Sequence, residues 1–449
     1  MSPGITGTMT RRIAAVAAVG LALTACSVST DGDGEAAGQE ENIGEISMTG
    51  AGTGVDAEIT QTLADAASEG EEFTATYTGS DSFEQDVIIQ VEGGTPPDIA
   101  MFPQPGAVIE QAQQGNAVAL EDLGFDIAEL EAQYGEYLVS LGEYEGKHYG
   151  LPLDVNFKSA IWYNVPAWEA AGWGDPPTTW DELMALSTEM AESGTSPFCL
   201  GTGSDAATGW PATDWMEDIV LRDQGTEVYD QWVTNELKFD SDEIKSAASR
   251  FGEVVFGEAG GTPFVFGGNE NISSTDFRDA PDPMFNDPPN CYMHRQATFI
   301  PAFFPEDMGL EPITDYNFFP FPDIEGNSGA LIAGGLAAIF NNRPEVKTFL
   351  ENYITPEVQC LIGSGDATQI SGNVNVDVEG CYSNPIIQQA AGVIQDALNE
   401  GTARFDASDL MPPAVGSGEF WNGMNNYTDN GPDNLDDVMQ SIDAAWPTS

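Results

Sequence analysis

From Glu45 onward the chain alternates short extended runs with helical periodicity, and this alternation restricts its possible folds more than any other feature. A strand-like stretch, Ile46-Ser47-Met48-Thr49, runs into Gly50-Ala51-Gly52-Thr53-Gly54. A helical pattern carrying Ile59, Leu63 and Ala66 follows, then a second strand from Phe73 to Tyr77. The next helix, with Phe83, Val87, Ile88 and Val91, ends at Gly93-Gly94 and leads to the apolar strand Pro97 to Phe102. Such a βαβ succession predicts a parallel sheet with helices on both faces. Ligands of these sheets settle beyond the carboxyl ends of the strands. Those ends are Thr49 to Thr53, Tyr77 to Asp81 and Phe102 to Gln104. Further on, a helix is predicted from Pro344 through Tyr353 and a closing one from Leu435 to Ala445.

A chain of 449 residues, 41% of them hydrophobic, has the material for two or three domains or one large two-lobed body. Its 73 Asp and Glu outweigh 13 Lys and Arg, a formal net charge of −60. A surface of that sign repels phosphate backbones, so nucleic acid is not an expected partner, and nucleotides and anionic membrane surfaces are disfavoured. The acidity itself reads as a solvated carboxylate coat.

Arg11 and Arg12 precede an apolar run, Ile13 to Leu23, that is too short to span a bilayer and ends in Leu23-Thr24-Ala25-Cys26. This resembles the bacterial lipoprotein signal: residues 1–25 are removed and the Cys26 thiol is diacylated as a lipid anchor. Residues 26–44, rich in Gly, Ser, Asp and Glu, read as a flexible tether on the outer face of the cell membrane. Outside the cytoplasm the remaining Cys199, Cys291, Cys360 and Cys381 read as two disulfides with three possible connectivities. The short loop favours Cys360 with Cys381, and hence Cys199 with Cys291.

Signatures of cofactor and metal chemistry are incomplete. After Gly50-x-Gly52 a dinucleotide loop needs a small residue where Val55 stands, and Gly201-x-Gly203 is equally thin. Asp31 to Glu35 would start a calcium loop, but Ala36 replaces its glycine and Asn42 its closing glutamate. Neither a Gly-x-Ser-x-Gly elbow nor a His-Glu-x-x-His helix occurs. No cofactor and no metal are expected. The tryptophans are more telling: nine are generous for a core, and indole faces pack well on the C–H faces of sugars. Trp210 and Trp215, in a Gly- and Pro-marked stretch with Asp205, Thr208 and Asp214, lean towards a ligand, whereas Trp162 and Trp180 lean towards the core.

Five motifs in order resemble the sugar-binding lipoproteins of bacterial ABC importers, the family 1 extracellular solute-binding proteins, of α-glucoside and maltose type. They are Gly94-Thr95-Pro96-Pro97-Asp98-Ile99, Tyr149-Gly150-Leu151-Pro152-Leu153 with Trp162-Tyr163-Asn164, Pro177-Thr178-Thr179-Trp180-Asp181-Glu182-Leu183, Gly334-Gly335-Leu336, and Phe349 to Tyr353. Thr179 and Glu182 make a capping box. The resemblance implies a two-lobed α/β periplasmic-binding-protein-like fold, each lobe a mostly parallel sheet flanked by helices, joined by hinge crossings. Residues 45–153 with 325–374 would form one lobe and 154–324 with 375–449 the other. It implies a monomer that closes on a neutral mono- or oligosaccharide, an α-glucoside or malto-oligosaccharide, and delivers it to ABC permease transmembrane subunits without altering it.

By the same resemblance the ligand would meet Thr53, Asp81, Phe102, Gln104, Asp154, Asn156, Trp210, Arg295, Gln296 and Trp421. Phe102, Trp210 and Trp421 would be stacking platforms. Asp81, Asp154, Asn156, Arg295 and Gln296 would be hydroxyl partners, with Arg295 also orienting a carboxylate, and Asp98 would support nearby loops. An alternative reading is a secreted glycoside hydrolase using Asp81 with Asp154, or Asp214 with Asp276, as its carboxyl pair. A surface adhesin without a small-molecule site is a third.

Overall fold

The computed structural model describes residues 44–80, 82–363 and 369–447. The signal segment, Cys26, the tether before Gly44 and Asp81 lie outside the described residues.

The opening alternation folds as its periodicity predicts. Strand β1 (Glu45–Gly50) pairs in parallel with β2 (Thr74–Gly79) and β3 (Ile99–Phe102). Helix α1 (Val55–Ala67) buries Ile59 and Leu63 against one face. Helices α2 (Phe83–Glu92) and α3 (Pro105–Gln113) bury Phe83, Val87 and Val108 against the other. Adjacent residues Ile99 and Ala100 point into these different clusters, as they must in a strand covered on both sides.

The chain then enters β4 (Gly150–Phe157) and continues almost directly into β5 (Ala160–Asn164). Strands β6 (Ser196–Phe198), β7 (Cys291–Arg295) and β8 (Tyr316–Pro320) complete a second sheet of order β8-β5-β7-β6. The return strand β9 (Ala330–Ile339) and the short β10 (Ile370–Ser371) and β11 (Ala403–Phe405) belong to the first sheet. Its order is β10-β4-β9-β3-β1-β2, with β11 beside the start of β9. Both sheets are mixed rather than mostly parallel. The crossing strands run against the opening ones: β9 is antiparallel to β3 and β4, and β5 is antiparallel to β7 and β8.

Strand β9 holds the first sheet together. Ala330 to Ile332 pair with β11, Leu336 to Ile339 pair with β3, and β4 runs beside both halves. The β4 register shifts between Gly334 and Leu336. Glycine is required at 334, because a Cβ there would lie 2.0 Å from the Asp154 carbonyl oxygen.

The second half is helical around its sheet. Helix α4 (Trp180–Glu192) opens with the expected capping box of Thr179 and Glu182. Helix α5 (Trp210–Asp223) runs through the core, buried from Pro211 to Arg222. Helix α6 (Pro344–Tyr353) returns to the first sheet, sharing a cluster with Ile46, Ile99 and α1. Helix α7 (Pro385–Glu400) packs on β4, β9 and β11. Beyond β11 come α8 (Ala407–Leu410), α9 (Trp421–Asn430) and α10 (Leu435–Ala444), whose apolar residues join the cluster around Trp215 and Trp232. Cys199 is bonded to Cys291 and Cys360 to Cys381, the favoured connectivity. Asp98 supports its neighbours as expected, accepting from the Ser47 amide and hydroxyl and pairing with Arg343 at 2.8 Å.

Candidate functional site

Helix α5 poses a physical problem that organises the site. It carries Asp214, Glu217, Asp218 and Arg222 through the protein interior, all at most 1% exposed. Isolated charges there would be prohibitive, so partners must arrive from elsewhere in the chain. Arg295, at the end of β7, bonds Asp214 at 2.8 Å and Asp218 at 2.5 Å. Arg222 reaches Asp218 one turn back, and the Ser159 hydroxyl donates to the same carboxylate. Lys158, between β4 and β5, bonds Asp214 at 2.9 Å and Asp406, just after β11, at 2.5 Å.

Charges therefore balance as Lys158, Arg222 and Arg295 against Asp214, Asp218 and Asp406. The Lys158 ammonium outweighs burial and holds Asp406 down to about 2, while the two carboxylates raise Lys158 well above its ordinary value despite burial. Two further carboxyls, Glu217 and Asp409, are pushed well above the usual range by burial and by Asp406. Glu217 accepts hydrogen bonds from the amides of Ala407 and Ser408, tying α5 to the start of α8. Asp214, Glu217 and Asp406 come close enough to share a cation, but Lys158 already bonds two of the three.

Trp210 stands at the head of α5, half-buried, with its ring edge-on to Phe277 at 5.0 Å. The Lys158 ammonium lies 5.2 Å from its centroid, within reach of a cation–π contact. Gly209, immediately before it, sits so close to Trp421 that a Cβ would lie 2.3 Å from the Trp421 carbonyl oxygen. Ser408 completes this wall: its hydroxyl donates to Asp406 at 2.7 Å and accepts from the Trp421 indole N–H at 3.2 Å.

Facing it is the carboxyl edge of the first sheet. A cavity of about 470 Å³, including its open mouth, lies between the two. Glu84, Ile88, Phe102, Gln104 and Ala107 line it from α2, β3 and α3, and Ser408, Met411 and Pro413 from α8 and the turn beyond. Asp154, further along the same edge, accepts from the Gly335 amide at 3.2 Å. Burial and the nearby Asp56 raise its carboxyl to about 6.

The structure sorts the expected residues. Gln104 and Phe102 line the cavity, although Phe102 is 2% exposed and packs edge-on against Phe83, and Trp210 lies behind it, against Phe277, Phe299 and Lys158. Thr53 is exposed just beyond β1. Gln104, Asn156 and Gln296 each keep a buried amide atom with no hydrogen-bond partner among the described residues. Arg295 is sealed beneath the wall, where it orients Asp214 and Asp218. Trp421 is 8% exposed and spends its N–H on Ser408. Trp215, expected to lean towards a ligand, is a core residue at 1% exposure, packed among Phe198, Phe251 and Phe321. Trp162 and Trp180 are buried, as expected. Asp276 pairs with Arg278 at 3.7 Å, and Asp214 bonds both Lys158 and Arg295.

Sequence reasoning missed Lys158, Asp406, Ser408, Asp409 and Glu84. A signal existed for the lysine: with 13 basic residues in 449, one placed inside an apolar crossing is conspicuous.

Residues 47–359 match the family described as bacterial extracellular solute-binding protein. The alpha-glucosides-binding periplasmic protein AglE of Rhizobium meliloti is 38% identical over 380 residues, 82% of this chain and 80% of its own. The osmoprotective compounds-binding protein GgtB of Synechocystis is 37% identical over 376 residues, 83% of this chain and 85% of its own. In fold, the chain resembles the GacH receptor of Streptomyces glaucescens, solved unliganded and with acarbose. The TM-score is 0.66 at 15% identity, over 90% of this chain and 97% of that one.

Proposed function

The chain belongs to the bacterial extracellular solute-binding proteins, and from that premise we propose that it binds a neutral α-glucoside between its two halves, for delivery to an ABC permease. One observation carries this reading. Gln104, Asn156 and Gln296 each leave a buried amide atom without a partner among the described residues, a cost that ligand hydroxyls would relieve. The half-buried indole of Trp210 supplies the flat face that a pyranose ring packs against. The α-glucoside specificity is supported by the alpha-glucosides-binding AglE, and GgtB widens it to osmoprotective compounds.

In this reading Thr53, Asp81, Phe102, Gln104, Asp154, Asn156, Trp210 and Gln296 meet the ligand, while Arg295 and Trp421 act from beneath the wall. Residues 45–153 with 325–374 form one lobe and 154–324 with 375–449 the other. The mature protein is a monomer, anchored through Cys26 to the outer face of the membrane, and it performs no covalent chemistry.

A thermal-shift screen over mono- and disaccharides, followed by calorimetric titration, tests the central claim. A neutral α-glucoside is expected to raise the Tm and bind with a Kd of about 1 μM or tighter, roughly −8 kcal/mol. Shortened products after incubation with malto-oligosaccharides would replace the receptor by a hydrolase. Absence of labelled palmitate from the wild-type protein in cells would remove the anchor.

A further inference from the structure

The Lys158–Asp406 ion pair straddles the return strand. The Lys158 amide donates to the Leu331 carbonyl oxygen at 2.9 Å and the Asp406 amide to that of Ile332 at 2.8 Å, so both ends of the pair are fixed to adjacent residues of β9. The same ammonium bonds Asp214, which follows Trp210 by four residues on α5 and so shares its helix face. One side chain, 7% exposed, thus joins the crossing strands to the helix that carries the half-buried indole, and lies 5.2 Å from that ring's centroid.

We propose that Lys158 is the positioning residue of the sugar platform, setting the orientation of Trp210 and coupling it to the crossing strands. The claim that this orientation governs sugar affinity rests on the proposed function; the hold on Trp210 does not. An indole free to rotate loses the stacked geometry unless the ligand pays to restore it. An ammonium clamped between two carboxylates is a fixed point against which the ring rests.

The test uses full-length protein and two measurements. In the ligand-free state, Trp210 emission is taken as the difference between each protein and its Trp210→Phe counterpart, and quenched with acrylamide. Lys158→Met is expected to raise the quenching constant about twofold as the ring loosens, and Lys158→Arg to leave it near wild type. In calorimetry with the best-binding neutral α-glucoside, Lys158→Met is expected to weaken binding about tenfold and Lys158→Arg no more than about threefold. The double variant Lys158→Met/Trp210→Ala should match Trp210→Ala within about twofold, because the lysine acts through the ring. Unchanged quenching in Lys158→Met overturns the hold on Trp210, and additive losses in the double variant overturn the route through it. A wild-type protein that binds no sugar defeats the proposed function while the quenching comparison still judges Lys158. If Lys158→Met does not fold, Asp214→Asn frees the ammonium from its helix anchor and is read by the same two measurements.

Discussion

The Asp154 side chain accepts a hydrogen bond from the main-chain N–H of Gly335 at 3.2 Å, while its own carbonyl oxygen leaves no room for a side chain at Gly334. Gly334→Ala should therefore destabilise the protein by about 2 kcal/mol or more, since a Cβ at 2.0 Å from backbone is relieved only by moving a strand. Urea unfolding followed by circular dichroism reads this directly, and a loss below about 0.5 kcal/mol would mean the two strands part easily.

Asp154 also sets a pH dependence. Its carboxyl lies at about 6 in the folded chain against 3.8 ordinarily, because burial and Asp56 disfavour its charge. The folded state thus holds a proton that the unfolded chain releases, and stability falls as pH rises from about 4 to 6. Asp154→Asn should flatten that segment of the stability curve and gain about 1 to 3 kcal/mol above pH 6. Denaturant midpoints measured between pH 4 and 7 decide it.

Arg295 and Trp210 should fail in different ways. Arg295→Met leaves Asp214 and Asp218 short of a partner inside the core, so it should cost about 3 to 5 kcal/mol of folding stability. Trp210→Ala should cost about 1 to 3 kcal/mol of sugar binding while moving the Tm by only a few degrees. Chemical denaturation and calorimetric titration of both variants check the contrast; a strongly unfolded Trp210→Ala would make that ring a core residue.

Trp421→Ala behaves as a core truncation. At 8% exposure, with its N–H bonded to Ser408, its removal should lower stability by about 3 kcal/mol. Retained stability with lost sugar affinity would return it to the ligand face.

The two disulfides should contribute unequally. Cys199–Cys291 closes a separation of 92 residues and Cys360–Cys381 one of 21, so chain entropy predicts about 4.6 and 3.3 kcal/mol. Paired Cys→Ser variants, unfolded in urea, should keep that order.

Much of the architecture was legible because it is written in local periodicity. The helix bounds Pro344–Tyr353 and the capping box at Thr179 follow from residues within one turn of each other. The site was harder for the opposite reason. Lys158 meets Asp214 and Asp406 across separations of 56 and 248 residues, which no window of sequence joins. Trp215 shows how nearness in sequence misleads. Five residues beyond Trp210 at about 100° per residue, it points to roughly the opposite side of α5, into the core, whereas Asp214 shares the face of Trp210.

Because β9 lends Ala330 to Ile332 to β11, Leu336 to Ile339 to β3 and Ile332 to Ala338 to β4, the return crossing is itself a paired strand of the first sheet and not a free segment. Residues of both sheets, Ile99 and Trp162 among them, also fall in one apolar cluster. Calorimetry should accordingly record a single endotherm for Gly44–Ser449, with the two halves unfolding as one cooperative body.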